Sequence, residues 1–225
     1  MQTPDQRSRT LLLASHNAGK LRELRALLEP LAKGWSLVGP AEAGVGDLQV
    51  EETGSSYAEN AGLKAHAFAD ASGLPALADD SGLEVDALGG SPGIHSARYA
   101  TNRYAGASAT GDNSDDGDNR RKLLVALAGM PAAERTARYR AVVTVARPHQ
   151  GEAWFAEGSC EGRIAVDERG SGGFGYDPVF ELADGRRMAE LSMDEKNEFS
   201  HRARAVRAVA PLLERLARLL EGEDA

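Results

Sequence analysis

The sequence predicts an α/β protein built on a mixed sheet, and three observations predict it. The apolar run Thr10-Leu11-Leu12-Leu13-Ala14 leads through a polar turn into leucines at helical spacing, a strand followed by a helix. Ala137 to Ala146 alternates as a strand does, and two further strand-like runs, Glu152 to Ser159 and Gly162 to Val166, suggest an antiparallel section inside a mixed sheet. At the C-terminus Val206, Val209, Leu213, Leu216 and Leu220 recur at helical spacing, a closing amphipathic helix that Pro211 is expected to kink.

Composition sets the outer bounds. The chain has 225 residues, of which 42% are hydrophobic and 27% charged, so it can bury a sizeable core, and a single domain over residues 1–225 is expected. Residues 1–9 are polar and expected to fray, and Ala105 to Asn119, rich in Gly, Ser, Asp and Asn, reads as a long flexible acidic loop. No apolar run approaches the roughly 20 residues that span a bilayer, and the first residues lack a signal-peptide core, so no membrane contact and a cytoplasmic location are expected. Cys160 is the only cysteine, which excludes an internal disulfide and a thiolate zinc cluster and suits a buried structural thiol. The formal net charge of -8 argues against tight nonspecific nucleic-acid binding, because neutralising the backbone needs a basic surface, and no nucleic-acid partner is expected.

Taken in order, the elements bring chemistry with them. Ser15-His16-Asn17-Ala18-Gly19-Lys20 joins the first strand to a helix that carries Leu21, Leu24, Leu27, Leu28 and Leu31 and closes at Pro30 and Gly34. Backbone N–H groups and a lysine at a helix N-terminus favour an anion, although the spaced glycines and Lys-Ser/Thr pair of a Walker loop are missing. Leu37-Val38 reads as a second strand. The acidic turn Glu51-Glu52-Thr53-Gly54 precedes a helix with Ser56 and Glu59 as a capping box and a small-residue face of Ala58, Ala61, Ala65, Phe68 and Ala69. Asn60 and Lys64 lie one turn apart on it.

From Pro75 a short apolar run delivers Asp79-Asp80-Ser81-Gly82 at an apparent strand end, before a second apolar run and the Gly89-Gly90-Ser91-Pro92-Gly93 turn. Asp112, Ser114, Asp116 and Gly117 mimic the start of a calcium loop, but its twelfth position holds Leu123 where a bidentate carboxylate belongs, so calcium is rejected there. A short helix is expected from Asn119 to Leu127. Gly170-Ser-Gly172-Gly173-Phe174-Gly175 formally matches a dinucleotide fingerprint, yet Tyr176-Asp177-Pro178-Val179-Phe180 reads as a turn into a strand where that fingerprint needs a helix. Its glycines suit close backbone approach, with Phe174 and Tyr176 available for stacking. Glu195 to Arg202 reads as a helix start with Ser200 as cap.

Lys20, Lys196 and Arg202, together with two acidic sites, form the parts list for a metal-bound polyphosphate. In this order the blocks resemble the inosine triphosphate pyrophosphatase family of XTP/dITP diphosphatases. The likeness runs from about Leu11 to Leu220 through Ser15 to Lys20, Glu51 to Gly54, Glu59-Asn60-Ala61, Ala78 to Leu83, Leu88 to Gly93, Ser96 to Tyr99, Gly173 to Pro178 and Ser200-His201-Arg202. The resemblance implies an α/β fold in which a long, bent mixed sheet flanked by helices divides two lobes around a nucleotide cleft, in a homodimer. It implies Mg²⁺-dependent cleavage of ITP, dITP and XTP between the α and β phosphates, giving a nucleoside monophosphate and pyrophosphate.

By motif position, Asp80 would accept the proton of the attacking water and bind the metal with Glu51. Ser15, His16, Asn17, Ala18, Gly19 and Lys20 would hold phosphates, and Ser81 would touch the substrate. Phe174, Gly175, Tyr176, Asp177, Lys196, His201 and Arg202 would surround the nucleoside. Lys64 is a further phosphate candidate by charge and position alone, and Asp79 has no assigned role. Two other readings stand beside this one: a noncatalytic purine nucleotide-binding or sensing module, and a phosphatase with an aspartyl nucleophile, for which adjacent Asp79-Asp80 is poorly spaced.

Overall fold

The computed structural model describes residues 9–101 and 114–222. Strands β1 (Arg9–Leu13), β2 (Trp35–Val38), β3 (Ala76–Val85), β4 (Thr136–Ala146), β5 (Ala153–Ile164) and β6 (Phe180–Glu181) form one sheet in the order β2-β1-β3-β4-β5-β6. Strand β1 pairs in parallel with both β2 and β3, while β5 and β6 pair antiparallel, so the sheet is mixed. Helices α1 (Ala18–Leu28), α2 (Tyr57–Ser72), α3 (Asp116–Ala126), α4 (Met193–Phe199) and α5 (His201–Glu221) make up the α part of this α/β fold.

The chain divides into two compact units. The first comprises Met1–Asp80, Val142–Glu157 and Arg204–Ala225, and the second Ser81–Ala141 and Gly158–Ala203. In the first unit Leu12 and Ala14 from β1 and the residue after it, and Ala76 and Ala78 from β3, pack against Ala65, Phe68 and Ala69 of α2. Alanines on both sides let this helix lie close to the sheet, as the small-residue face predicts. In the second unit Leu83, Val85, Leu123, Leu127, Tyr139, Ile164, Tyr176, Val179, Phe180 and Met188 form the core, with Cys160 buried among them as expected. Arg135, itself buried, donates to the carbonyls of Leu127, Met130 and Ala165 and so closes the C-terminal end of α3.

Several boundaries differ from the sequence expectation. Asp79 and Asp80 do not end a strand; they lie inside the 10-residue β3 and are 2% and 5% exposed. The runs 152–159 and 162–166 are one 12-residue strand, β5. Gly162 does not break it, because a Cβ there would sit 2.6 Å from both the Glu181 carbonyl and the Phe180 ring of β6. It marks a close approach of two strands.

Residues 105–113 of the expected acidic loop lie outside the described residues, as do 1–8, whereas 116–119 are the first turn of α3. Asp115 caps that helix by accepting from the N–H groups of Gly117 and Asp118 at 2.8 and 3.3 Å. Acidic residues that read as loop composition therefore sit where a helix N-terminus favours them. Helix α1 stops at Leu28, which leaves Leu31 exposed. Helix α5 runs through Pro211 to Glu221 with Leu220 exposed near its end. The segment from Glu195 belongs to the separate helix α4, and Ser200, extended between α4 and α5, accepts from the Ala203 N–H at 3.2 Å.

Candidate functional site

In the first unit a charged cluster is built on β3, α1 and α2. Asn17 caps α1, its side chain accepting from the Lys20 N–H at 2.9 Å, and its own N–H donates to Ser15 Oγ at 3.2 Å. This turn puts Lys20 one turn into the helix, where its Nζ lies 3.3 Å from Asp79 Oδ2. His16, Asn17 and Ala18 are exposed. The His16 Nε2 is 2.7 Å from the Leu48 carbonyl and its ring packs 5.6 Å from that of Phe68, so at least part of this residue's task is to seat the turn.

Lys64, on α2, lies between two carboxylates, 2.6 Å from Glu52 Oε1 and 3.4 Å from Asp80 Oδ1. One turn earlier Asn60 donates to Asp80 Oδ2 at 3.3 Å and accepts from the Gly54 N–H at 2.8 Å. A fully buried asparagine thus fixes the acidic turn and the strand carboxylate to the same helix face. Gly54 permits this approach, since a Cβ there would come within 2.7 Å of Asn60 Oδ1 and of Glu59 Cβ. Ser56 caps α2 as expected, but Glu59 reaches back to the N–H and hydroxyl of Ser55 and not to the Ser56 N–H.

The electrostatics follow from burial. Loss of water pushes the Asp80 carboxyl above its ordinary pKa; Lys64 and Lys20 pull it down, Glu52 and Asp79 push it up, and the net shift is upward. For Lys64 burial acts against the ammonium, and the carboxylates of Asp80, Glu52 and Asp79 more than offset it, so its pKa stands above the usual lysine value. A buried carboxylate with a raised pKa, gripped by a cation and an amide, is suited to accept a proton. Oxygen donors of this kind suit a hard cation such as Mg²⁺, which takes one or two carboxylates and completes its shell with water and substrate oxygens. A self-sufficient cage is absent: among the described residues no group of three or more His, Cys, Asp or Glu side chains could hold a metal by itself. Glu51 is exposed, and it is its neighbour Glu52 that pairs with Lys64.

The second unit holds the remaining predicted residues around Asp177. Its Oδ1 accepts from the Tyr139 hydroxyl at 3.0 Å, and its Oδ2 accepts from Lys196 Nζ at 2.8 Å and from the Phe174 N–H at 3.2 Å. Gly173 has φ 74°, and a Cβ there would fall 2.0 Å from the Asp177 carboxylate, so only glycine lets the chain fold back over it. The Tyr139 ring stacks on His201 with centroids 4.7 Å apart and planes 16° apart. Arg202, 2% exposed, donates from Nη2 to Ser81 Oγ at 3.0 Å, and the Phe174 ring has Lys196 Nζ and Arg202 Cζ within 5.8 and 5.7 Å of its centroid. The Tyr176 hydroxyl turns to the Ser96 carbonyl at 2.9 Å, so Tyr176 is a brace for the loop.

Ser15 to Lys20, Asp80 and Lys64 are therefore grouped in one unit, and Ser81, Phe174 to Asp177, Lys196, His201 and Arg202 in the other, with β3 passing from the first group to the second between Asp80 and Ser81. Asn60, noted in the sequence for its place one turn from Lys64, has no role assigned there, and its bond to Asp80 supplies one. Tyr139 is not singled out by the sequence, since it reads as one more apolar position of an alternating strand.

Residues 11–212 match the model of the Ham1 family. A "dITP/XTP pyrophosphatase" of Symbiobacterium thermophilum is 47% identical over 211 residues, covering 94% of this chain and 96% of that protein. One of the same name from Methylococcus capsulatus is 48% identical over 210 residues, covering 92% and 98%. Among solved structures, the Ham1 protein of Staphylococcus aureus superposes with a TM-score of 0.76 at 37% identity, over 92% of this chain and all (100%) of that one. A family match over nearly the whole chain, relatives of this identity and a shared fold bear out the resemblance read from the motifs: the chain belongs to the Ham1 family.

Proposed function

We propose that this chain hydrolyses non-standard purine nucleoside triphosphates, ITP, dITP and XTP, to the nucleoside monophosphate and pyrophosphate. The observation that carries the reading is the buried Asp80, held by Lys64 and Asn60 and flanked by Asp79 and Lys20, in a chain 47% identical to a protein named dITP/XTP pyrophosphatase.

In this mechanism Asp80 takes a proton from the water that attacks the phosphoanhydride between the α and β phosphates, and pyrophosphate leaves. Lys20, Lys64 and the N–H groups at the start of α1 bind the phosphate oxygens, with Ser15, His16, Asn17, Ala18 and Gly19 shaping that turn. Asp80 and Glu51 would hold Mg²⁺, which when bound neutralises phosphate charge and draws electrons from the scissile bond. Phe174 stacks on the base, with Gly175, Tyr176 and Asp177 completing that loop. Ser81, Lys196, His201 and Arg202 complete the nucleoside contacts. Hypoxanthine and xanthine carry an oxygen at C6 where adenine carries an amino group. A donor such as Arg202 committed to that oxygen is left unpaired by adenine, a penalty that can reach discrimination on the order of 10⁴. The active form is proposed to be a cytoplasmic homodimer that binds neither nucleic acid nor membrane; among the described residues no helix is long and apolar enough to cross a membrane.

The test is pyrophosphate release from dITP, ATP and GTP in the presence of Mg²⁺. Rapid release from dITP alone is expected, and equal rates on all three, or none, would overturn the specificity.

A further inference from the structure

We propose that Asp116 and Arg120 of α3 are positioning residues that set the register of the Phe174–Asp177 loop and through it the affinity for the nucleoside. This rests on the reading of that loop as nucleoside-binding. Asp116 and Arg120 are four residues apart, the spacing at which an acid and a base on one helix face ordinarily pair with each other. Here they act on the peptide groups of another segment. The Gly175 N–H donates to Asp116 Oδ2 at 2.7 Å, and the Gly175 carbonyl accepts from Arg120 Nη1 at 2.9 Å. Donor and acceptor of one residue are thus held by the two ends of one helical turn, between Phe174 and Tyr176. Both bonds involve a charged partner, the stronger kind.

The grip matters because Gly175 carries no side chain of its own to fix it. Its φ is 62°, and among the described residues no atom beyond its two chain neighbours lies within 4 Å of where its Cβ would be. The helix behind the grip is itself fixed. Asn119 donates to the Ala97 carbonyl at 3.3 Å and accepts from the Ala100 N–H at 2.6 Å, Lys122 donates to the Tyr99 carbonyl at 2.5 Å, and Leu123 is fully buried. The same 93–98 turn receives the Tyr176 hydroxyl at Ser96. The loop is therefore tied to one body at two consecutive residues, Gly175 by its backbone and Tyr176 by its side chain. Its other flank is tied by Asp177 to Lys196 and Tyr139. Arg120 makes a separate ion pair from Nε to Glu168 Oε2 at 3.0 Å, which supplies a control.

The experiment measures kcat, KM and thermal midpoint for the full chain and for Asp116→Ala, Asp116→Asn, Arg120→Ala and Glu168→Gln, with dITP and GTP as substrates. Asp116→Ala and Arg120→Ala are expected to raise KM for dITP about fivefold or more, the loss of one charge-assisted hydrogen bond, with kcat within about twofold and a smaller preference for dITP over GTP. Asp116→Asn keeps an acceptor for the Gly175 N–H, and Glu168→Gln leaves Gly175 untouched; both are expected to stay within about twofold of the parent. Unchanged KM in both alanine variants, or a fall in kcat and midpoint without a change in KM, overturns the inference while dITP hydrolysis by the parent upholds the functional reading. A parent chain that does not hydrolyse dITP overturns both.

Discussion

At the scale of the residue, Asp80 is a carboxylate withdrawn from the water that would favour its charge. Burial raises its pKa, and Lys64 and Lys20 offset part of that rise. The neutral isostere Asp80→Asn should therefore remove turnover, by a factor of at least about 10² if Asp80 is the general base, while the protein remains folded. It also carries a pH signature. In metal-free buffer the native carboxyl keeps its proton to a higher pH than the unfolded chain does, so this group's contribution to stability is fully present in acid. It is lost as pH rises from the ordinary carboxylate range through the raised native value. The Asn variant has no proton to lose, and urea unfolding of both proteins between acid and neutral pH should show its stability gaining on the parent as pH rises. A constant difference would mean that Asp80 titrates normally. The acidic turn offers a second comparison. Glu52 is tied to Lys64 and Glu51 is exposed. Glu51→Gln is accordingly expected to raise the Mg²⁺ concentration needed for half-maximal rate, whereas Glu52→Gln should act on Lys64 and raise KM; Mg²⁺ titrations of the two variants with dITP separate them, and the reverse pattern would transfer the metal to Glu52.

At the scale of the element, glycines and acids are where sequence and structure part. Strand–helix alternation, the α2 small-residue face and the order of the motifs are legible because each depends on local periodicity or on adjacent residues. The continuity of β3 and β5 is not legible, because what keeps those strands intact comes from distant sequence. Asp79 and Asp80 lie inside β3 with Lys20 paired to Asp79 and with Asn60 and Lys64 paired to Asp80. Gly162 stays inside β5 since β6 presses on it. Likewise Asp115 and Asp116 read as loop until Asp115 is seen capping α3. Gly162 gives the sharpest test of this view. If it marked a break between strands, alanine would be tolerated. If it marks a close approach, the added methyl meets the Glu181 carbonyl and the Phe180 ring at 2.6 Å, and β5 and β6 must separate. Gly162→Ala is expected to lose about 1–3 kcal/mol in urea unfolding, the cost of overpacking a site with rigid neighbours. A neutral or stabilising result would show that the strands separate freely there.

At the scale of the whole molecule, the proposed function assigns chemistry common to every nucleotide and chemistry peculiar to one base to different residues. Triphosphate is shared by dITP, ATP and GTP, so a residue that handles phosphate contributes the same free energy to each. A residue that reads the base contributes unequally, and the ratio of kcat/KM values reports only the second kind. Lys64 is assigned to phosphate and lies with Asp80 and Glu52 in one unit, while Arg202 is assigned to the base and lies with Ser81 and Phe174 in the other. Lys64→Met should therefore depress kcat/KM for dITP and ATP by similar factors, leaving their ratio within about threefold of the parent, because the lost attraction falls on the shared phosphates. Arg202→Gln should narrow the ratio by about tenfold or more, because it removes a donor that adenine could not satisfy. Arg202 is buried and hydrogen-bonded, so its thermal midpoint and its pyrophosphate inhibition constant must be measured alongside. A variant that still binds pyrophosphate as the parent does, yet no longer separates dITP from ATP, fixes base reading on Arg202. If Lys64→Met instead changes the ratio, or Arg202→Gln lowers both substrates equally, the division of labour between these residues is wrong.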